Sequence, residues 1–104
     1  MKPAPFKYHD PQSLSELVDL TSTLEDAKIL AGGQSLMPMM NMRFVTPEDI
    51  IDINKIEELN FIELSDDAIN IGAMTVQREL LSSSTIRTIA PILNEALAYV
   101  GHFQ

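Results

Sequence analysis

The feature that most constrains this chain is a pair of glycines between an apolar run and a predicted helix. The apolar run is Lys28-Ile29-Leu30-Ala31, and Gly32-Gly33 closes it. A short apolar run that ends in glycine predicts a buried strand. The segment from Ser35 to Met42 has a helical pattern, and Pro38 is tolerated in its first turn because the missing amide has no partner there. The sequence therefore predicts a strand, a glycine loop and a helix in direct succession.

Elements on both sides of this loop predict an α/β fold. The proline-rich opening predicts an extended arm or edge strand, and Ser13-Leu14-Ser15-Glu16 predicts a capping box that begins a helix of about three turns. Asp49 to Asn54 predicts a second strand, parallel to the first because a helix separates them. The expected architecture is a small, partly parallel sheet with flanking helices.

The second half of the chain predicts a hairpin followed by helices. Phe61 to Ala73 reads as two short strands around the polar turn Ser65-Asp66-Asp67. Thr75 is expected to cap the helix that follows, and Pro91 is expected to split or kink the last helix. These elements complete the order helix, strand, helix, strand, hairpin, helix, helix.

Charge and composition exclude several classes of function. Seven basic residues against fifteen acidic ones give a net charge of −8, without a basic cluster, so nucleic-acid binding is not expected. The chain has no cysteine, which removes disulfides and cysteine-ligated metal clusters. No apolar run is long enough to span a membrane and the N-terminus lacks a secretory signal, so a cytoplasmic protein is expected.

The glycine loop has the chemistry of a diphosphate site. Two glycines let the backbone approach a ligand closely, and a helix that begins directly afterwards supplies free amides and the positive end of its dipole. Gln34 and Ser35 add side-chain donors without a positive charge. The spacing matches neither a dinucleotide-binding Rossmann motif nor a P-loop, and from spacing alone an ordinary glycine turn is the favoured interpretation.

A series of motifs in fixed order runs through the chain: Pro11-x-Ser13-Leu14, Leu30 to Leu36, Pro38, Arg43, Asp52 to Ile56, Leu59, Ile71 to Thr75, Pro91-Ile92-Leu93, Ala96 and Val100-Gly101. In order and spacing this series resembles the flavin-binding (medium) subunit of the molybdenum hydroxylases, the family of xanthine dehydrogenase, aldehyde oxidase and aerobic carbon monoxide dehydrogenase. The Gly-Gly-Gln-Ser loop argues against other flavoenzymes of this fold, such as a cell-wall precursor reductase or an alcohol oxidase.

The resemblance implies that residues 1–104 are the N-terminal part of a PCMH-type FAD-binding domain, ending before a second flavin loop of sequence Thr-x-Gly-Gly. The first loop is expected to contact the FAD pyrophosphate through its backbone amides. The expected cofactor-binding residues are Ile29, Leu30, Ala31, Gly32, Gly33, Gln34, Ser35 and Leu36 in this loop, Thr75 at the flavin pocket, and Val100 and Gly101 near the flavin edge.

The resemblance further implies a three-part enzyme. A large molybdopterin subunit oxidises the substrate, iron–sulfur clusters on a small subunit relay the electrons, and FAD passes them to an acceptor. The lack of cysteine agrees with metals held on those partner subunits. No residue of this chain is then expected to be catalytic or to bind a metal. The alternative is a non-catalytic truncated fragment or interaction module that does not hold FAD by itself.

The remaining polar and sulfur-containing residues have structural interpretations. Met37, Met39, Met40 and Met42 predict core packing. The two histidines, His9 and His102, form no ligand set and are expected to be surface or hydrogen-bonded residues. Asp49 and Asp52 are assigned a surface or turn role. Arg43 is expected to complement the end of its own helix, with contact to a partner or a phosphate as the alternative.

Overall fold

The computed structural model describes residues 1–100 and divides the chain into two units, Met1–Asn60 and Phe61–Gln104. The first unit contains a parallel sheet of three strands, β1 (Lys7–His9), β2 (Ala27–Leu30) and β3 (Asp49–Asp52), in the spatial order β1-β3-β2. Helices α1 (Leu14–Thr23) and α2 (Leu36–Asn41) follow β1 and β2. A parallel sheet needs such connections, and the predicted parallel pairing of β2 and β3 is confirmed.

The centre of this sheet is β3, which carries the buried residues. Ile50 and Ile51 lie between the two neighbouring strands and are almost wholly buried, and Asp49 is only 7% exposed. The prediction that β2 is a buried strand is wrong. Because β2 pairs with β3 on one side only, it is an edge strand, and its Ile29 is 49% exposed.

Helix α1 begins with the predicted serine cap. The Ser13 hydroxyl accepts a hydrogen bond from the Glu16 amide at 3.2 Å. The Glu16 carboxylate accepts from the amide of Gln12 at 3.0 Å, one residue before the position that a standard capping box uses. Val18 is 59% exposed, and no residue of α1 is fully buried.

Helix α2 is short, and Pro38 stands in its first turn as predicted. Of its methionines, Met40 is buried, whereas Met39 and Met42 are exposed, so core packing is wrong for those two. The helix ends at Asn41, and Arg43, just past the cap residue Met42, has a φ of 57°, the left-handed conformation that usually follows a helix. The Arg43 side chain donates to the Lys2 carbonyl at 3.3 Å. Its expected role at the end of its own helix stays a prediction.

In its described part, residues 61–100, the second unit contains a hairpin and three short helices. The hairpin strands β4 (Ile62–Leu64) and β5 (Ile69–Ile71) are antiparallel, as predicted. The helices are α3 (Gln77–Ser82), α4 (Ser84–Ile89) and α5 (Pro91–Leu97). Pro91 separates α4 from α5 because proline fits the first turn of a helix but not its interior.

Two side chains hold this unit together. Ile86 on α4 is fully buried. Asn94 on α5 donates to the carbonyls of Leu80 and Leu81 at 3.1 and 3.2 Å, which ties α5 to the end of α3. Within residues 1–100, no helix combines the length and the apolar character that crossing a membrane requires.

Candidate functional site

The glycine loop joins the edge strand β2 to α2. Ile29 and Leu30 belong to β2, residues 31–35 form the loop, and Leu36 begins the helix. Gly32 and Gln34 are exposed, whereas Gly33 is half-buried. The eight residues predicted to bind the cofactor pyrophosphate are thus contiguous in one strand end, loop and helix start.

The two glycines of the loop have different constraints. Gly33 has a φ of +76°, and a Cβ there would lie 3.1 Å from the Met37 side chain and 3.3 Å from that of Leu30. This position therefore needs glycine for the fold itself. A Cβ at Gly32 would meet nothing within 4 Å, and its φ lies outside the left-handed range. The fold does not need glycine at position 32, so the space beside it is open to a ligand.

The backbone amides of the loop are free. Within residues 1–100, no protein group accepts a hydrogen bond from the amides of residues 32–36, although the carbonyls of Gly33 and Ser35 accept from Met37 and Met39 at 3.1 and 3.2 Å. The Ser35 hydroxyl also makes no capping bond. Successive unpaired amides on an exposed loop provide donors for an anionic group such as a phosphate.

Two residues that follow β3 hold the end of β2 and the start of the loop in place by hydrogen bonds. The Ile53 amide donates to the Leu30 carbonyl at 3.0 Å, which extends the β2–β3 pairing by one bond. The Asn54 side-chain amide donates to the Ala31 carbonyl at 2.8 Å. The sequence interpretation quoted Asn54 within a motif but assigned it no role. No local pattern predicts a bond across 23 residues, since it depends on how β3 pairs with β2.

Asn54 is itself held by an acidic residue. Asp52 accepts from the Asn54 backbone amide at 2.9 Å and from its side chain at 2.6 Å, and it also accepts from the Tyr8 hydroxyl. Partial burial opposes the charged form of Asp52, but the hydrogen bonds from Tyr8 and Asn54 outweigh it and lower the pKa of this carboxyl. The same hydrogen bond to Asp52 raises the pKa of Tyr8. Asp52 is therefore a charged, hydrogen-bonded support. Its bond to the Asn54 amide two residues further on is an Asx turn, so the predicted turn role is confirmed.

A second acidic residue of β3 also has a partner. Asp49 lies 2.8 Å from Nε2 of His9, and both side chains are largely buried. The surface role predicted for Asp49 is therefore wrong, because the central position of β3 buries its side chain. His9 fits the prediction of a hydrogen-bonded histidine. His102 lies outside the described residues. Across the described part of the chain, no cluster of three or more His, Asp or Glu side chains is arranged to hold a metal ion.

The remaining predicted site residues belong to the second unit. Thr75 does not cap α3: the cap position is Val76, without a side-chain bond. The Thr75 hydroxyl donates to the Phe61 carbonyl at 3.0 Å and accepts from its amide at 3.2 Å. Thr75 therefore fastens the segment after β5 to the residue before β4. Val100 is half-exposed after α5. Gly101 lies outside the described residues.

Comparison with known proteins places this loop in a family context. The family model described as "FAD binding domain in molybdopterin dehydrogenase" matches residues 4–104. The chain belongs to this family. The resemblance to the flavin-binding subunit of the molybdenum hydroxylases is thus confirmed, and so is the α/β fold class. FAD is the cofactor named by the family's description, and the free amides of the glycine loop fit its pyrophosphate.

Individual relatives match almost the whole length of this chain. It is 50% identical to the carbon monoxide dehydrogenase medium chain of Hydrogenophaga pseudoflava, over 97% of this chain and 36% of that one. It is 35% identical to the glyceraldehyde dehydrogenase medium chain of Sulfolobus acidocaldarius, over 100% of this chain and 37% of that one. The chain therefore spans about a third of the length of these relatives.

Solved structures give the same result. Quinoline 2-oxidoreductase from Pseudomonas putida superimposes with a TM-score of 0.94 at 36% identity, covering 99% of this chain and 36% of that one. A carbon monoxide dehydrogenase from Hydrogenophaga pseudoflava that lacks the Mo-pyranopterin moiety of its cofactor superimposes with a TM-score of 0.93 at 47% identity, covering 98% and 36%.

Proposed function

We propose that Ile29 to Leu36 bind the pyrophosphate of FAD through their backbone amides. The observation that carries this proposal is the run of unpaired amides at residues 32–36, on an exposed loop of a FAD-binding family member. Hydrogen bonds from such amides to phosphate oxygens are charge-assisted and stronger than bonds between neutral groups. They also allow a chain with a net charge of −8 to bind an anion without basic side chains.

Each part of the loop has a separate task in this proposal. Gly33 takes the left-handed turn that directs the chain from β2 into α2, and Gly32 leaves the approach to the amides open. Ser35 offers a hydroxyl that is not used for capping. Thr75, Val100 and Gly101 remain predicted contacts of the flavin. In this scheme the residues hold and orient the cofactor, and no side chain of the chain acts as a catalytic acid, base or nucleophile.

The proposed role of the protein is that of an electron-transfer subunit in a molybdenum-containing hydroxylase or dehydrogenase. When bound, FAD would supply the redox chemistry, receiving electrons from iron–sulfur clusters and passing them to an acceptor. The proposed partners are a small iron–sulfur subunit and a large molybdopterin subunit, and support comes from relatives that are named medium chains of dehydrogenases. Assignment of residues 1–104 to the N-terminal part of a PCMH-type FAD-binding domain and the cytoplasmic location belong to the same proposal.

The substitution Gly32→Val tests the loop directly. A Cβ at position 32 meets no protein atom within 4 Å, so the fold should tolerate the substitution, while the added side chain occupies the space beside the amides. We expect the affinity for FAD, measured by quenching of flavin fluorescence in the full-length flavin-free protein, to fall at least about tenfold. Ala68→Val, in the exposed turn between β4 and β5, is the matched control and should bind as the wild type does.

Two results would contradict the proposal or redirect it. Equal affinity for FAD in the wild type and Gly32→Val would remove the loop from the site. Failure of residues 1–104 to bind FAD would favour the alternative, a module that does not hold FAD by itself. That alternative is supported by the length of the relatives, of which this chain spans about 36%.

A further inference from the structure

The side chain of Asn54 donates two hydrogen bonds next to the glycine loop. Its Nδ2 atom donates to the Ala31 carbonyl at 2.8 Å and to the Asp52 carboxylate at 2.6 Å. A primary amide has two N–H groups on one nitrogen, so both acceptors are satisfied at once. The Asn54 backbone amide donates to the same Asp52 oxygen at 2.9 Å, which fixes the side chain relative to its own backbone.

The bond to Ala31 controls the direction of an amide in the loop. The peptide between Ala31 and Gly32 is planar and trans, so its C=O and N–H groups point in opposite directions. Because Asn54 holds the carbonyl on the β3 side, the Gly32 N–H must point away from β3. That N–H is one of the unpaired amides of the loop. The preceding peptide is fixed in the same way, since the Leu30 carbonyl accepts from the Ile53 amide.

We propose that Asn54 is a positioning residue for the cofactor, which orients the Ala31–Gly32 peptide so that the Gly32 amide faces the FAD pyrophosphate. This inference rests on the proposed function of the loop. Asn54 need not touch FAD, and its effect passes through the backbone of Ala31. Preorganisation of this kind improves binding because the loop does not have to be ordered when the ligand arrives.

The groups around Asn54 are suited to this task. Asp52 is held by the Tyr8 hydroxyl on the far side, so the chain of hydrogen bonds runs from β1 through the end of β3 to the loop. The lowered pKa of Asp52 keeps this carboxylate charged and therefore a pure acceptor at neutral pH. Aspartate at position 54 would place an acceptor against the Ala31 carbonyl and a like charge beside Asp52. The amide at this position satisfies both neighbours.

The substitution Asn54→Asp tests the proposal because it keeps the shape and removes the donors. We expect FAD affinity in the full-length flavin-free protein to fall at least about tenfold. Asn60→Asp is the matched control: it adds the same charge at an exposed position of the same unit, and should leave FAD affinity unchanged. Should Asn54→Asp fail to fold, Asn54→Ala carries the test, since it removes the donors without adding a charge.

A second measurement separates positioning from general stabilisation. Residual dipolar couplings of the Gly32 amide in the flavin-free protein report the direction and order of that N–H group. We expect this coupling to shrink in both Asn54 variants. The Gly72 amide, which donates to the Phe61 carbonyl at 2.9 Å, is the internal reference and should keep its coupling. A merely destabilised protein would not lose order at Gly32 alone.

The hydrogen-bond chain is tested by a double-mutant cycle. If Asp52 acts through Asn54, Asp52→Ala weakens FAD binding in the wild type but adds nothing in the Asn54→Ala background. Independent, additive losses would overturn this relation.

The failures of the two proposals are distinguishable. Wild-type affinity in Asn54→Asp or Asn54→Ala, together with weak binding by Gly32→Val, would overturn the positioning role and leave the loop as the site. Wild-type affinity in Gly32→Val would instead remove the proposed function, on which the positioning role depends.

Discussion

Within residues 1–100, three helices have a serine at the N-cap position, and its hydroxyl is used in two different ways. At the start of α1 the Ser13 hydroxyl accepts from the Glu16 amide, and at the start of α4 the Ser83 hydroxyl accepts from the Ile86 amide, both at 3.2 Å. At the start of α2 the Ser35 hydroxyl makes no such bond. In the first two helices the serine hydroxyl binds the third amide of the helix. In α2 that third position is Pro38, which has no N–H group, and the Met37 amide before it donates to the Gly33 carbonyl.

Backbone conformation and the proline at position 38 together explain the difference. Ser13 and Ser83 are extended, with ψ values of 160° and 122°, and this conformation turns the hydroxyl toward the amides of the first turn. Ser35 has φ −105° and ψ −45°, which is already helical, so its hydroxyl points elsewhere. The comparison indicates that a serine with a purely structural role caps its own helix, as Ser13 and Ser83 do. The start of α2 has no third amide to cap, because Pro38 occupies that position, and the Ser35 hydroxyl is left available to a ligand.

The largest effect that the comparison predicts is at Gly33, which sets the path into the uncapped helix. Gly33→Val places a β-branched residue at a φ of +76° and pushes its Cβ against Met37 and Leu30. We expect a loss of about 2–3 kcal/mol in the free energy of unfolding of the flavin-free protein, measured by urea denaturation. Gly32→Val, one residue away, should change that free energy by less than about 0.5 kcal/mol.

Equal unfolding free energies for these two variants would contradict the different constraints assigned to the two glycines. The pair also shows why Gly33→Val is a poor test of cofactor binding. A variant that damages the loop conformation loses ligand affinity for reasons unrelated to contact with the ligand, whereas Gly32→Val alters only the space beside the amides.

An intermediate effect is expected from removing each serine hydroxyl in turn. Ser13→Ala and Ser83→Ala lose a capping bond and should each lower the free energy of unfolding by about 1 kcal/mol. Ser35→Ala removes no capping bond and should leave that free energy unchanged, while lowering FAD affinity if its hydroxyl contacts a phosphate. Thermal unfolding of the three flavin-free variants and a FAD titration of each make the comparison.

A loss of stability in Ser35→Ala equal to that in Ser13→Ala would break the distinction between the two kinds of helix start. Retained stability together with retained FAD affinity would keep the distinction but assign the free amides alone to the cofactor.

Local patterns predicted those features of the fold that depend on neighbouring residues. The cap at Ser13, the place of Pro38, the hairpin and the break at Pro91 all follow from turn and capping chemistry. Local patterns did not predict the burial of each strand, because burial depends on where a strand lies in its sheet. Lys28 to Ala31 is apolar enough for a central strand but lies at the edge.

The sequence predicted the glycine loop of the candidate site, but it did not predict the hydrogen bonds that hold this loop and Thr75 in place. Two glycines before a helix identify the loop, and the ordered motifs identify the family. The anchor at Asn54 and the bond between Thr75 and Phe61 join residues 23 and 14 positions apart, and only the pairing of strands brings them together. Thr75 was predicted as a cap because a threonine before a helix usually is one.

The smallest predicted effect is on the free energy of unfolding at low pH. It concerns Asp52, which holds Asn54 and so supports the loop before the uncapped helix α2. The pKa of Asp52 is lowered in the folded protein, so its contribution to stability is present above the unfolded value near pH 4 and is lost as the pH falls through the folded value. Asp52→Asn should therefore flatten the dependence of the unfolding free energy on pH below about 4, by less than about 1 kcal/mol. Urea denaturation from pH 6 to pH 2.5 measures it, with Asp66→Asn in the exposed hairpin turn as control. An acid limb unchanged by Asp52→Asn would mean that the hydrogen bonds to Asp52 contribute nothing to the stability of the loop's support.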